Sequence, residues 1–243
     1  MARQPRKRLR PGDVRAVVFD AYGTVINITE TDYIAVMAEI CGDQQLDADA
    51  NRLWKCFLRE AYLMRAENHH APIYQRYDEA WARQFESVFR KMRLEGDAWS
   101  AALHFKARLA DAPAFDDAAA AIEAIGRHYK VALLSNADDD FLGQCLTRNN
   151  LHFKHILTSE QARAIKPNPE IFLKMARRLR LPPEQCLYAG DNPIPDVLGP
   201  ARAGMRVAWV NRGGYRKPRG IPYPDVRVQS LSELVAMLVP DVE

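Results

Sequence analysis

No stretch of the 243-residue chain approaches the roughly 18 uninterrupted apolar residues that a membrane span needs. The N-terminus carries charge without the apolar segment that follows it in a signal peptide, so a cytoplasmic protein with no membrane partner is expected. Cysteine is scarce. Cys41, Cys56, Cys145 and Cys186 lie far apart and form no C-x-x-C pair, which argues against a zinc knuckle or a disulfide framework and leaves reduced, packed thiols. An excess of one charge is also missing. The net charge is +3, but residues 1–10 (MARQPRKRLR) hold five basic groups and no acid, so the remainder is slightly negative. Phosphate-backbone binding needs a basic face and not a loose basic tail, so no nucleic-acid partner is expected. Residues 1–13 read as a solvated, disordered end. Oligomeric state stays open, with a homodimer as the association to test.

What is present is enough apolar content, 48% of residues, to bury a full core. Val14 to Phe19 (VRAVVF) is a short β-branched, apolar run ending at Asp20, as suits a strand buried on both faces of a parallel sheet. Similar runs follow at Lys130–Leu134, His155–Thr158, Gln185–Ala189 and Arg206–Val210, with a weaker one at Asp225–Val228. Helix-like segments lie between them: Phe115–Tyr129, Asp138–Asn149, Asn168–Leu179 and Ile194–Ala203, with Ser232–Leu238 closing the chain. Such alternation predicts an α/β fold with a doubly wound, Rossmann-like parallel sheet whose ligands sit at the carboxyl ends of the strands. Residues 29–112 break the pattern and read as three or four amphipathic helices, an all-helical cap inserted after the first strand and placed to exclude water. The core is then residues 14–28 and 113–243.

Four segments at or just beyond strand ends carry the chemistry: Phe19-Asp20-Ala21-Tyr22-Gly23-Thr24, Leu134-Ser135-Asn136, Ile165-Lys166-Pro167-Asn168-Pro169 and Ala189-Gly190-Asp191-Asn192-Pro193-Ile194-Pro195-Asp196. Each alone is an ordinary turn or helix cap. All four in this order, each after an apolar run, converge on one pocket. Asp20 can attack phosphorus or carbon and form a covalent intermediate that water later opens. Gly23 would let backbone amides approach an anion closely, while Thr24, Ser135 and Asn136 add neutral donors. Lys166 supplies a point charge that holds Asp20 ionised and neutralises a substrate anion. Asp191 and Asp196 with Asp20 form a carboxylate cluster that calls for a hard cation, and magnesium suits oxygen ligands.

These motifs resemble the haloacid dehalogenase-like hydrolases, and the resemblance runs from about Arg15 to the last strand. It implies a nucleophile at Asp20, the Ser/Thr role at Ser135, the Lys role at Lys166, and magnesium held by Asp20, the Tyr22 backbone carbonyl, Asp191 and Asp196. Phosphatases of this family usually carry a second Asp two residues after the nucleophile as general acid; here Tyr22 stands there. FDAYGT instead resembles the 2-haloacid dehalogenases, whose halide needs no proton. The dehalogenases' metal-free fourth motif is replaced by Gly190-Asp191-Asn192 with Asp196, the Arg expected after Trp54 is Lys55, and the Tyr expected six residues after Lys166 is Phe172. Losing a general acid costs about two to four powers of ten in rate, whereas a second uncompensated carboxylate beside Asp20 would cost several kcal/mol against an anionic haloacid. The favoured expectation is therefore a magnesium-dependent phosphatase acting on a small phosphorylated metabolite through an aspartyl-phosphate. The alternatives are a 2-haloacid dehalogenase working through an aspartyl ester, and a weakly active fold kept for binding or regulation.

His69-His70 reads as a pair of surface groups, since adjacent helical residues point apart. Trp54, Tyr62, Trp81, Phe85, Phe89 and Trp99 read as packing within the insert. Asn211–Arg216 reads as a flexible surface loop near the pocket edge, its arginines facing a distal substrate charge at most.

Overall fold

Ala16–Phe19 (β1) is a tetrapeptide of apolar residues without a polar interruption, and all four are fully buried. That pattern places it in the middle of a sheet covered on both faces. The computed structural model describes residues 9–67 and 74–239. In it β1 lies between Lys130–Ser135 (β2) and Cys186–Gly190 (β4), parallel to both. His155–Thr158 (β3) flanks β2, and Arg206–Val210 (β5) and Val226–Val228 (β6) continue beyond β4. The order is β3-β2-β1-β4-β5-β6, parallel throughout. From β1 the chain proceeds toward β2 on one side, and from β4 toward β5 on the other. This reversal between β1 and β4 is a topological switch point, where open α/β sheets bind ligands beyond their carboxyl ends.

The described chain divides into two compact units, one comprising residues up to Asn27, Ala114–Asn136 and the chain from Leu151 on, the other Ile28–Pro113 with Ala137–Asn150. The first holds the sheet, together with α5 (Ala118–Gly126), α7 (Ser159–Ala162), α8 (Pro169–Leu179), α9 (Gly199–Ala203) and α10 (Leu231–Leu238). Ala16, Val18, Leu134, Tyr188, Phe172 and Met175 belong to one buried cluster on a face of the sheet. The second unit is all-helical: α1 (Glu30–Asp43), α2 (Ala50–Glu67), α3 (Tyr77–Met92), α4 (Ala98–Ala110) and α6 (Asp139–Arg148). Its centre is aromatic. Trp54, Phe57, Trp81, Phe85, Phe89 and Phe105 are buried, and Tyr33 stacks on Trp54 at 4.7 Å, while Tyr62 and Trp99 are exposed. None of the helices among the described residues is long and apolar enough to cross a membrane.

Several expectations shift at their edges. The tail expected to run to residue 13 gives way to a 3-10 turn at Pro11–Asp13, and residues 1–8, like His69-His70, lie outside the described residues. The helix expected over Ile194–Ala203 is instead a π-helical turn, Pro193–Leu198, running into α9. Pro193 and Pro195 fall in the first turn, where donors are unpaired anyway, but Pro200 lacks the N–H that an α ladder would send to Asp196, and the Gly199 N–H bonds Ile194 instead. Segment Asp138–Asn149 is helical as expected, but its helix groups with the all-helical unit and not with the sheet. The four cysteines form no disulfide.

Candidate active site

Every residue of the four motifs that was expected in one pocket belongs to the sheet-bearing unit. Asp20 follows β1 directly and its N–H donates to the Ala189 carbonyl at 2.9 Å, which locks it beside the end of β4. The chain then turns sharply. The Ala21 carbonyl accepts from the N–H groups of Thr24 (3.2 Å), Val25 (2.9 Å) and Ile26 (2.9 Å). Gly23 sits at φ +87°, and a Cβ there would lie 2.6 Å from Asp191 Oδ2. Its own N–H donates to the Ile26 carbonyl at 2.8 Å. The glycine is therefore required by the turn and by the close approach of Asp191, and its own N–H serves the turn. Gly190 follows the same rule, since a Cβ there would lie 2.5 Å from the Asp196 Cβ.

Lys166, 5% exposed, is the hub. Its Nζ donates to Asp20 Oδ1 at 2.6 Å, Asp196 Oδ1 at 2.7 Å and the Tyr188 hydroxyl oxygen at 2.9 Å, one acceptor for each ammonium proton. Asn136 holds the lysine's backbone: its Oδ1 accepts from Lys166 N–H at 2.7 Å and its Nδ2 donates to the Lys166 carbonyl at 3.2 Å. Asn136 was expected to face substrate; the structure uses its amide to position Lys166. Thr24 likewise turns inward, its hydroxyl donating to Asp191 Oδ1 at 3.3 Å. Ser135 ends β2, buried. Asp196 Oδ2 accepts from Asn192 N–H at 3.0 Å, so both its oxygens carry hydrogen bonds. The Asp191 carbonyl accepts from Trp209 Nε1 at 2.7 Å, which fixes the fourth motif against β5.

Two groups of the centre lie outside the four motifs. Tyr188, the one hydroxyl-bearing side chain in β4 (CLYAG), is fully buried, and such a phenol needs a partner; that was its signal. Arg212 had been read as part of a flexible loop. Its guanidinium lies 3.7 Å over the Phe115 ring, pairs with both Asp117 oxygens at 2.8 and 3.1 Å, and donates to the Thr24 carbonyl at 3.0 Å. The arginine thus anchors the loop carrying Thr24, which corrects the reading of its own segment as a flexible surface loop.

The electrostatics follow from burial and from an imbalance of charge. Burial raises Asp20 to about 6, with Asp196 adding to the rise and Lys166 opposing it. Burial, then Asp196 and Asp20, pushes Asp191 well above the ordinary carboxylate range. Burial alone would lower the Lys166 ammonium, but Asp196 and Asp20 raise it, so it stays charged. One cation thus faces three acids. Asp20, Asp191 and Asp196 each present a carboxylate oxygen, all within 4.8 Å of one another. An all-oxygen donor set with surplus negative charge fits a hard dication such as magnesium.

A buried lysine tied to clustered carboxylates, at the switch point of a doubly wound sheet, defines the class: a Rossmann-like α/β protein with a carboxylate-centred site. The model of the haloacid dehalogenase-like hydrolases matches residues 14–204, and the chain belongs to that family. It is 34% identical to phosphoserine phosphatase of Thermus thermophilus over 167 residues, 64% of this chain and 66% of that protein. A 40% identity with glyceraldehyde 3-phosphate phosphatase of Methanopyrus kandleri spans 35% of this chain and only 38% of that protein. Haloacetate dehalogenase H-2 of Moraxella sp. (strain B) is 25% identical over 93% of this chain and 98% of its own length. A dehalogenase structure solved with an intermediate complex superposes with a TM-score of 0.75 at 25% identity, over 94% of this chain and 99% of that one. The relatives therefore include both phosphatases and 2-haloacid dehalogenases.

Proposed function

We propose that the chain is a magnesium-dependent phosphatase acting on a small phosphorylated metabolite, with Asp20 as the nucleophile. The observation that supports this most is the approach of Asp191 to the Gly23 turn, which adds a third, half-buried carboxylate to Asp196 and the one that must attack. A dication resolves that repulsion; a metal-free site holding an anionic haloacid would worsen it.

In this reading Asp20, the Tyr22 carbonyl, Asp191 and Asp196 hold magnesium, which when bound neutralises the carboxylates and polarises the phosphoryl oxygens. Lys166 orients the Asp20 carboxylate and keeps it ionised. An Asp20 oxygen attacks phosphorus as the P–O bond to the leaving group breaks, giving an aspartyl-phosphate and an alkoxide that takes a proton from water. Water then attacks phosphorus, the acyl P–O bond breaks, and Asp20 and inorganic phosphate are regenerated. Ser135, at the end of β2, and Lys166, in the loop between α7 and α8, donate to the phosphoryl oxygens.

A second reading has its own support. Tyr22 stands where a phosphatase of this family carries its general acid, and the alignment with haloacetate dehalogenase H-2 covers nearly the whole length of both chains. A parallel assay separates the two. The phosphatase reading expects magnesium-dependent release of phosphate from p-nitrophenyl phosphate and no chloride from 2-chloropropionate. Metal-independent chloride release without phosphatase activity would replace it with the dehalogenase.

A further inference from the structure

We propose that Tyr188 is a positioning residue that keeps the Lys166 ammonium in place when Asp20 gives up its charge. The tyrosine comes from the middle of the sheet, yet its hydroxyl reaches three of the four motif segments. The oxygen accepts from Lys166 Nζ at 2.9 Å, and its single proton faces the Leu134 carbonyl at 3.1 Å and Asp196 Oδ1 at 3.2 Å. The ring is fully buried and meets Phe172 edge-on, centroids 5.1 Å apart at 81°, so the hydroxyl cannot swing away without disturbing the core.

The consequence appears during turnover. At rest Lys166 has three acceptors: Asp20, Asp196 and Tyr188. As the Asp20 oxygen bonds to the electrophile, its negative charge passes to the transferring group and its pull on Lys166 weakens. Asp196 and Tyr188 are then what hold Nζ in register with the phosphoryl oxygens. Of the two, Tyr188 alone is also tied to β2, so it fixes the ammonium to the sheet. A neutral phenol does this without adding a fourth negative charge to the cluster.

The kinetic consequence rests on the phosphatase reading, whereas the state of the ammonium does not, so two readouts are needed. Tyr188→Phe keeps the ring and removes only the oxygen. In the wild type, a slowly exchanging Lys166 ammonium resonance is expected in proton–nitrogen correlation spectra, assigned by its loss in Lys166→Met. In Tyr188→Phe that resonance should broaden or vanish. With p-nitrophenyl phosphate and magnesium, kcat should fall about tenfold, the scale of one lost hydrogen bond to a charged group, and KM should stay within twofold. An unchanged resonance in Tyr188→Phe, or a wild-type ammonium in fast exchange with water, would overturn the proposal. Should the wild type release no phosphate, the phosphatase reading falls, and the resonance still decides the role of Tyr188.

Discussion

Gly23 has no room for a methyl group: the Asp191 carboxylate occupies the space, and the backbone sits at φ +87°. Gly23→Ala must therefore bear left-handed strain of about 1–2 kcal/mol and also displace Asp191. We expect at least a tenfold loss of magnesium affinity by calorimetric titration, with the fold retained by circular dichroism; an unchanged titration would show that Asp191 does not hold the metal. Tyr22 offers the opposite experiment. Tyr22→Asp restores a proton donor two residues after the nucleophile, and should raise turnover of alkyl phosphates about tenfold or more while hardly changing that of p-nitrophenyl phosphate. Equal effects on good and poor leaving groups would mean that no acid was missing. At this scale the sequence was legible where position along a strand decides the outcome. Asp20 and Asp191 meet because each directly follows a buried strand, Asp196 lies in the helical turn just beyond, and Lys166 comes on the loop after α7. It was less legible where partners compete. Thr24, Asn136 and Gly23 have the residue types of an anion cradle, but their hydrogen bonds and close approaches serve Asp191, Lys166 and the turn.

The elements obey the same division. All six strands fall within two residues of where hydrophobic runs place them, because strands buried on both faces cannot tolerate polar interruption. The helical turn after β4 departs from expectation through its prolines, and Tyr188 was hidden because only the pairing of β4 with β1 brings its hydroxyl to Lys166. In the all-helical unit the ion pairs carry a further prediction. Burial alone would raise Asp78, but hydrogen bonds from Arg76, Lys106 and the Glu79 N–H bring it down from 3.8 to about 2. A carboxylate depressed in the fold stabilises it above the unfolded value and loses that contribution as pH falls through the folded value. Asp78 should thus contribute about 2 kcal/mol near neutrality. The difference in urea unfolding free energy between wild type and Asp78→Asn should narrow between pH 4 and pH 2; a constant difference would remove the ion pair as its source.

At the scale of the whole molecule, the family is established by a match across residues 14–204, and the balance of charge at the centre sets what can bind there. Three acids and one lysine leave the centre short of positive charge, which the proposed magnesium would balance. Magnesium that binds only the folded state must then raise thermal stability in proportion to the logarithm of its concentration, and the rise should vanish in Asp191→Asn. The substrate was not legible at any scale, because specificity depends on shape and not on a motif.

The most direct measurement of the central claim uses beryllium trifluoride, which mimics a phosphoryl group on a carboxylate and requires no knowledge of the substrate. With magnesium, wild-type protein should give bound fluorine resonances by 19F NMR, absent without the metal and absent in Asp20→Asn. Saturating magnesium with no bound resonance, or binding that survives Asp20→Asn, would contradict the account.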